Sequence, residues 1–284
     1  MTHHDLLPIA REAVAIGSRI VTTRATGTVQ EKSERDLVTD IDLAVEDAVR
    51  TFLLAEAPHV GVLGEEHGHT GPTDLWWALD PVDGTTNFAR GIPLCAVSLD
   101  LVADRTAVLG AITLPFLGVD YHASAGHGAY SAGNRIRSSP VEALSDAVIS
   151  IGDFATGPDA TPKNTLRIAL LTRLGATAQR IRMIGTAAVD LAWVADGKLD
   201  ATVNLSNMPW DTLAGTVLVR EAGGLVLDLD DTPHTADSKV TIAVGPGLRV
   251  DVMRALRESL AEVEKSDIRP SNGPLVNNRN PYSD

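Results

Sequence analysis

The chain has 284 residues, of which 44% are hydrophobic, and this predicts a folded protein with one large domain or two closely packed lobes. Its 24 basic and 37 acidic residues give a net charge of −13, which argues against sequence-independent binding of nucleic acid. The single cysteine, Cys95, cannot form an internal disulfide, and no apolar run reaches membrane length, so we expect a cytoplasmic protein.

Two acidic residues, Asp42 and Glu65, stand close to the first predicted elements of the chain. Apolar residues at helical spacing predict a helix over residues 5–22 and a second one that begins at Thr39. Asp42 follows Thr39 at the spacing of a capping box, so the pattern leaves both a capping role and a site role open. The apolar segment 60–64 predicts a buried strand, and Glu65 follows it directly. A carboxylate there is costly unless it is paired or metal-bound, and a solvated acidic loop is the alternative.

The stretch from Trp77 to Phe88 contains the most informative chemistry. An apolar run ends in Asp80, and Asp83 follows three residues later, with Pro81 expected to stiffen a turn between the two acids. Two converging carboxylates repel each other, and a hard cation such as Mg²⁺, Mn²⁺ or Ca²⁺ relieves that repulsion. After Gly84, Thr85 and Thr86 can begin a helix whose free N–H groups suit an anion. The stretch therefore indicates a phosphoryl-transfer site, although a strand followed by an ordinary Asx turn remains the simpler alternative.

The remaining chain predicts an antiparallel sheet followed by alternating strands and helices. Period-two patterns predict strands over Ala96–Val102, Ala107–Leu114, Val119–Ala123 and Ala129–Ile136. Later strands are predicted over residues 147–151, 180–184, 200–205, 225–229 and 240–244, and helices over 163–174, 186–195, 210–222 and 248–263. Taken alone, Asp211 fits the N-cap of the helix that follows Trp210. We expect an α+β lobe over residues 1–140, an α/β lobe over 141–265 and a disordered tail over 266–284.

Several of these strings, in this order, resemble the signatures of the inositol monophosphatase family, whose members are Mg²⁺-dependent, lithium-sensitive phosphatases. The resemblance extends from Lys32 to Gly224. The matching strings are Lys32 with Asp36-Leu37-Val38-Thr39 and Asp42, then Gly64-Glu65-Glu66, then Asp80-Pro81-Val82-Asp83-Gly84-Thr85-Thr86-Asn87-Phe88, and finally Trp210-Asp211. It implies a layered αβαβα sandwich, of mixed α+β and α/β class, with the site at the junction of the two lobes.

The resemblance also implies roles for individual residues. The implied ligands of two Mg²⁺ ions are Glu65, Asp80, Asp83, Asp211 and the carbonyl of Val82, with Asp42 helping to hold a third ion. Glu65 and Thr85 would orient and deprotonate the attacking water, and the amides of Gly84 and Thr85 would bind phosphate. Asp211 would also stabilise the leaving group, and Lys32 matches the family lysine.

The choice of substrate depends on the second half of the chain. Gly185-Thr186-Ala187 matches a family segment that lines the sugar pocket. Asn204 stands seven residues before Asp211, where inositol enzymes usually carry a Glu that binds substrate hydroxyls. A neutral amide suits an uncharged polyol better than a cationic alcohol, although Asn204 is also compatible with a simple strand end. We therefore predict myo-inositol 1-phosphate as substrate, with histidinol phosphate as the alternative.

Two other classes of protein remain open. Phosphatases with an aspartyl nucleophile also cluster Asp and Gly-Thr, but their paired acids usually lie one residue apart near the N-terminus. A regulatory or RNA-polymerase-binding protein could retain the same fold, although every implied metal ligand is present in this chain. The family is mostly dimeric, so the resemblance predicts a homodimer that takes a small phosphorylated substrate and binds neither nucleic acid nor membrane.

Overall fold

The computed structural model describes residues 2–23, 29–33, 36–158, 160–206 and 208–267. The helices of these residues are α1 (Leu7–Thr23), α2 (Asp40–Glu56), α3 (Thr85–Ala89), α4 (Ala160–Thr177), α5 (Ala187–Ala195), α6 (Pro209–Glu221) and α7 (Arg249–Asp267). Their strands are β1 (Val29–Ser33), β2 (Asp36–Thr39), β3 (Gly61–Gly64), β4 (Gly68–Thr70), β5 (Leu75–Asp83), β6 (Ala96–Ala103), β7 (Thr106–Leu114), β8 (Val119–Ser124), β9 (Gly128–Ser131), β10 (Asn134–Arg135), β11 (Val148–Ile151), β12 (Arg180–Arg182), β13 (Ala201–Asn204), β14 (Leu225–Leu227) and β15 (Thr241–Val244). Within the described ranges, no helix has the length and apolar character needed to cross a membrane.

The larger sheet is buried on both faces. Its strands lie in the order β10-β9-β8-β7-β6-β5-β3-β4, and neighbours are antiparallel except for β3 and β5. Successive side chains of a strand point to opposite faces. Along β6, Val97, Leu99 and Leu101 accordingly join the core formed with α1 and α2, whereas Ala96 and Val102 join the core formed with α5 and α6. Three of the four antiparallel strands predicted in this region, 96–102, 107–114 and 119–123, are confirmed as β6, β7 and β8.

The smaller sheet completes a stack of five layers. Its order is β12-β11-β13-β15-β14, with β11 parallel to both β12 and β13 and the remaining pairs antiparallel. One face packs on α4 and α7, through Leu170, Leu174 and Leu256 among others, and the other face packs on α5 and α6. The layers are therefore α1/α2, the larger sheet, α5/α6, the smaller sheet and α4/α7. This arrangement confirms the expected αβαβα sandwich.

Three local predictions differ from the structure or lie outside it. The predicted strand 129–136 is a hairpin, because Ala132 and Gly133 take positive φ angles of 47° and 79° and reverse the chain between β9 and β10. Asp211 is not the N-cap of α6, since the helix begins two residues earlier at Pro209 with Met208 as its cap. Of the predicted tail, Ser266 and Asp267 still belong to α7, and residues 268–284 lie outside the described residues.

Candidate active site

Asp80 and Asp83 lie on one continuous strand. The turn predicted between them is wrong, because β5 runs on to Asp83 and keeps its pairing with β6. Asp80 pairs with Ser98 and Asp83 with Ala96, so three steps on β5 oppose two on β6 and the strand bulges between the two acids. In a regular strand, the side chains of residues three apart point to opposite faces of the sheet. The extra residue of a bulge changes the direction in which the side chains after it point. Within the bulge the N–H of Val82 donates to Oδ1 of Asp80 at 3.0 Å.

Asp80 is the electrostatic centre of the site. Asp80 is almost completely buried, with only 2% of its surface exposed. Burial raises the pKa of Asp80 well above its usual value, and the negative charges of Glu65, Asp83, Asp211 and Asp42 raise it further. Glu65 follows β3, and its N–H donates to the carbonyl of Leu79 at 3.3 Å, directly beside Asp80 along β5. The fold thus brings together five carboxylates from four separate parts of the sequence.

The first turn of α2 supplies Asp42. Thr39 caps the helix, and Oδ2 of Asp42 accepts both the N–H of Thr39 at 2.9 Å and its hydroxyl at 2.5 Å. The predicted capping box is therefore confirmed. Oδ1 of Asp42 points the other way, and the hydroxyl of Thr85 lies 3.2 Å from it and 3.0 Å from the carbonyl of Val82. Burial raises the pKa of Asp42 above its usual value, although its bonds to Thr39 oppose that shift.

Asp83 connects the larger sheet to α5. Its Oδ2 accepts the hydroxyl of Thr186 at 2.5 Å and the N–H of Ala188 at 2.6 Å, and Thr186 is the N-cap of α5. Burial raises the pKa of Asp83 to about 6, against the lowering effect of these two donors. The next residue, Gly84, has a φ of 88° and is the N-cap of α3, which begins at Thr85 as the sequence predicted. A side chain there would meet Leu94 and Thr186, so the position favours glycine.

Asp211 lies in the first turn of α6. Its Oδ2 accepts the N–H of Met208 at 2.7 Å, which places the carboxylate at the N-terminal end of the helix without making it the cap. Asp42, Asp83 and Asp211 are thus each held by N–H groups at the start of a helix. Within the described residues, no group of three or more carboxylate, His or Cys side chains lies close enough to share one metal ion.

A cavity of about 430 Å³ adjoins these acids. Its lining brings together Asp83 and Asp211 with the segment Gly185-Thr186-Ala187 and with Asn204. Asn204 ends β13 and is buried, and its Nδ2 has no hydrogen-bond partner in the described part of the chain. Glu65, Asp80 and Asp42 do not line this cavity. Lys32 lies in β1, and its side chain is outside what the structure describes.

Four charged residues of the cavity wall were not identified from the sequence. They are Asp153, which follows β11, Lys163 and Arg167 on α4, and Asp190 on α5. Burial raises the pKa of Asp190 to about 8, and burial lowers that of Arg167. A carboxylate inside the apolar string 187–195 was a usable signal for Asp190, because an unpaired buried charge is costly. Lys163 carries no comparable signal, since it stands in the polar stretch Thr161-Pro162-Lys163-Asn164-Thr165.

Comparison with known proteins identifies the family of this chain. The model of the inositol monophosphatase family matches residues 3–263. The "Inositol-1-monophosphatase ImpA" of Mycolicibacterium smegmatis is 39% identical over 241 residues, which cover 84% of each chain. A "Fructose-1,6-bisphosphatase/inositol-1-monophosphatase" of Thermotoga maritima is 34% identical over 233 residues, covering 81% of this chain and 86% of that protein.

A solved structure extends the likeness to the fold. The structure of an IMPase from Thermotoga maritima superimposes with a TM-score of 0.83 at 29% identity, covering 91% of this chain and 99% of the other. The residues matched by the family model, 3–263, include both sheets and all the segments that carry the five clustered carboxylates. The chain belongs to the inositol monophosphatase family and is a phosphoric monoester hydrolase.

Proposed function

We propose that this enzyme hydrolyses the phosphate monoester of a small polyol, with myo-inositol 1-phosphate as preferred substrate and Mg²⁺ as metal. The observation that carries the proposal is the buried Asp80, which is surrounded by the charges of Glu65, Asp83, Asp211 and Asp42. A polar cavity lined by Asp83 and Asp211 opens beside this cluster and has room for a sugar-sized molecule.

The donor set fits a hard divalent cation. The inositol monophosphatase family uses divalent metal ions. The side chains around Asp80 offer carboxylate oxygens, the ligands that Mg²⁺ prefers, and a buried carboxylate among like charges needs a positive partner to stay ionised. We propose Glu65, Asp80, Asp83 and Asp211, with the Val82 carbonyl, as holders of two Mg²⁺ ions and Asp42 as a contributor to a third. Bound cations of this kind neutralise phosphate charge and lower the pKa of a coordinated water.

The chain's own groups then have separable tasks. Glu65 and the Thr85 hydroxyl orient the attacking water, and a carboxylate is a suitable proton acceptor for it. The amides of Gly84 and Thr85, at the start of α3, donate to phosphate oxygens because the first N–H groups of a helix lack an intrahelical acceptor. Asp211 also lines the cavity, where it would help to hold a cation that stabilises the negative charge developing on the departing alcohol oxygen.

The walls of the cavity bear on the choice of alcohol. Asn204 contributes a neutral donor and acceptor, and Gly185, Thr186 and Ala187 leave space beside it. Relatives named as inositol-1-monophosphatases support inositol 1-phosphate, and one named in addition as a fructose-1,6-bisphosphatase adds that sugar phosphate to the candidates. Histidinol phosphate is the second candidate, because its cationic alcohol would be attracted by a carboxylate. Asn204 has no carboxylate, but Asp153 in the same cavity lining supplies one.

We also propose a homodimer, as the family resemblance implies. An apolar surface supports it: Ile92 and Met183 are exposed and flank a cavity of about 680 Å³ that half-buried Trp193 also lines. Light scattering at micromolar concentration tests the assembly, and a monomer would exclude it. A purely regulatory protein with this fold is the remaining alternative, and it predicts no turnover of any small monoester.

A panel of substrates decides among these activities. The purified chain with Mg²⁺ is assayed on myo-inositol 1-phosphate, histidinol phosphate, fructose 1,6-bisphosphate and 3′-phosphoadenosine 5′-phosphate. We expect the highest kcat/KM on inositol 1-phosphate. A tenfold preference for histidinol phosphate, equal to about 1.4 kcal/mol of transition-state binding, would overturn the inositol assignment. No hydrolysis of any compound would favour the regulatory alternative.

A further inference from the structure

Glu46 is a buried carboxylate with no task in the reaction described above. It lies on α2, one turn after Asp42 and on the same face of the helix. Its two oxygens accept the N–H of Glu66 at 2.8 Å and the N–H of His67 at 3.1 Å. Both amides belong to the turn that joins β3 to β4, and that turn begins with Glu65. Glu46 therefore ties this turn to the helix that also carries Asp42.

Arg50 completes the connection from the next turn of α2. Its Nη2 lies 2.8 Å from Oε1 of Glu46 and donates to the carbonyl of Gly68 at 2.8 Å. Its Nη1 donates to the carbonyl of Val62 at 3.3 Å and to the hydroxyl of Thr70. The charge of Glu46 is thus matched inside the protein, and both strands of the hairpin are held by one guanidinium.

Gly64 makes this contact possible. A Cβ atom at Gly64 would lie 2.0 Å from Oε1 of Glu46, far inside contact distance. The absence of a side chain lets the carboxylate reach the two amides beyond. On the opposite side, the N–H of Glu65 is bonded to Leu79 next to Asp80. The backbone around Glu65 is therefore held between α2 on one side and β5 on the other.

We propose that Glu46 is a positioning residue for Glu65, an inference that rests on the function proposed above. Through the amides of Glu66 and His67 it sets the separation of Glu65 from Asp80 and Asp42. It touches neither substrate nor reacting atoms. Groups that orient a metal-binding side chain in this way typically change metal affinity or turnover by about 10-fold to 100-fold when they are replaced.

The test compares Glu46→Gln with a matched control. Gln offers one acceptor oxygen for two N–H groups and no charge for Arg50. Glu221 at the end of α6 performs the same task in another turn, since it accepts the N–H of Gly126 at 2.8 Å and that of Gly128 at 2.7 Å. That turn contains none of the proposed site residues, so Glu221→Gln removes an equivalent clamp away from the site. Arg50→Lys is a second site variant, which keeps the charge beside Glu46 but loses the fork of contacts.

Two measurements are made on each protein. The first gives kcat and KM on myo-inositol 1-phosphate with saturating Mg²⁺. The second gives the affinity for Mn²⁺, from the electron paramagnetic resonance signal of free Mn²⁺. For Glu46→Gln we expect kcat to fall about tenfold or more with KM nearly unchanged, and Mn²⁺ to bind about tenfold more weakly. Arg50→Lys changes both quantities in the same direction by a smaller factor. Glu221→Gln stays close to the wild type in both, even where its melting temperature falls.

The outcomes separate this inference from the proposed function. A wild type that hydrolyses nothing but binds Mn²⁺ more tightly than Glu46→Gln refutes the function and supports the positioning role. Equal Mn²⁺ affinity in the wild type, Glu46→Gln and Arg50→Lys overturns the positioning role. An equal loss in Glu221→Gln also overturns it, because the effect would then follow general destabilisation. If Glu46→Gln fails to fold, the kcat and the Mn²⁺ affinity of Arg50→Lys are compared with those of Glu221→Gln, and the same criteria apply.

Discussion

His234 makes the stability of this protein depend on pH in a direction that can be measured. It lies between β14 and β15 and is only 2% exposed, with Nε2 2.9 Å from the Thr241 hydroxyl. The backbone N–H of His234 donates to the carbonyl of Val226 at 3.1 Å, and the backbone carbonyl of His234 accepts from the Arg220 guanidinium. Burial, followed by the charge of Arg220, lowers the pKa of His234 from 6.5 to about 4. The folded protein therefore holds His234 neutral at pH values where the unfolded chain is already protonated.

The size of the effect follows from the difference between the two pKa values of His234. The unfolded state binds the proton near pH 6.5 and the folded state only near 4, so stability is complete above 6.5 and falls as the pH drops towards 4. A tenfold difference in proton affinity between the two states corresponds to about 1.36 kcal/mol. Full protonation of His234 therefore costs the folded state roughly 3 kcal/mol of stability, of which about 2 kcal/mol is lost by pH 5. For a chain of 284 residues, with an unfolding entropy of about 2.1 cal/mol/K per residue, 2 kcal/mol corresponds to a melting-temperature change of about 3–4 °C.

Urea unfolding of the wild type and His234→Gln at pH 8, 6.5 and 5 tests this value. Both proteins are kept in chelator, because metal bound to the folded state adds stability of its own. Other groups also titrate in this range, so the quantity of interest is the difference between the two proteins. We expect the wild type to lose about 2 kcal/mol more than the variant between pH 8 and 5. His59→Gln, which removes an exposed imidazole, should follow the wild type. Parallel curves for the wild type and His234→Gln would refute the argument.

Three further predictions concern the site and the core. Chelation should abolish turnover and Mg²⁺ should restore it, with inhibition by Li⁺ and by high Ca²⁺ expected from the family resemblance; full turnover in chelator would exclude a metal mechanism. Asp83→Asn should lower kcat by about 100-fold or more while the melting temperature stays within a few degrees, because the amide keeps an acceptor for Thr186 and Ala188 but loses the charge. A nearly wild-type kcat would mean that Asp83 is only structural. Asp100 on β6 is fully buried, neither of its oxygens has a partner in the described residues, and burial raises its pKa well above 3.8. Because of this raised pKa, the wild type loses stability as the pH rises and Asp100 must ionise. The free energy of unfolding of Asp100→Asn, measured in urea, should therefore exceed that of the wild type by more at pH 8 than at pH 5. An equal difference at both pH values would contradict this.

Local sequence signals were sufficient for most of the secondary structure. The cap at Thr39, the helix that starts after Gly84 and the strands with period-two alternation all depend on residues a few positions apart. The order of the acidic strings was likewise enough to indicate the family, because that order is a property of the chain alone. Where the local signal was incomplete the prediction failed, as at Ala132 and Gly133, where period-two alternation on both arms concealed the turn between them.

Tertiary packing decided the geometry of the site. The bulge between Asp80 and Asp83 exists because β6 continues to pair with β5 on both sides of it, although β6 begins only at Ala96, beyond the whole of α3. Asp190 enters the cavity because α5 packs between the two sheets, which also brings Thr186 to Asp83. Composition and spacing determine which chemical groups the chain possesses. Which of them share one buried volume is decided by long-range contacts, because only those contacts remove water from between groups that are distant in sequence.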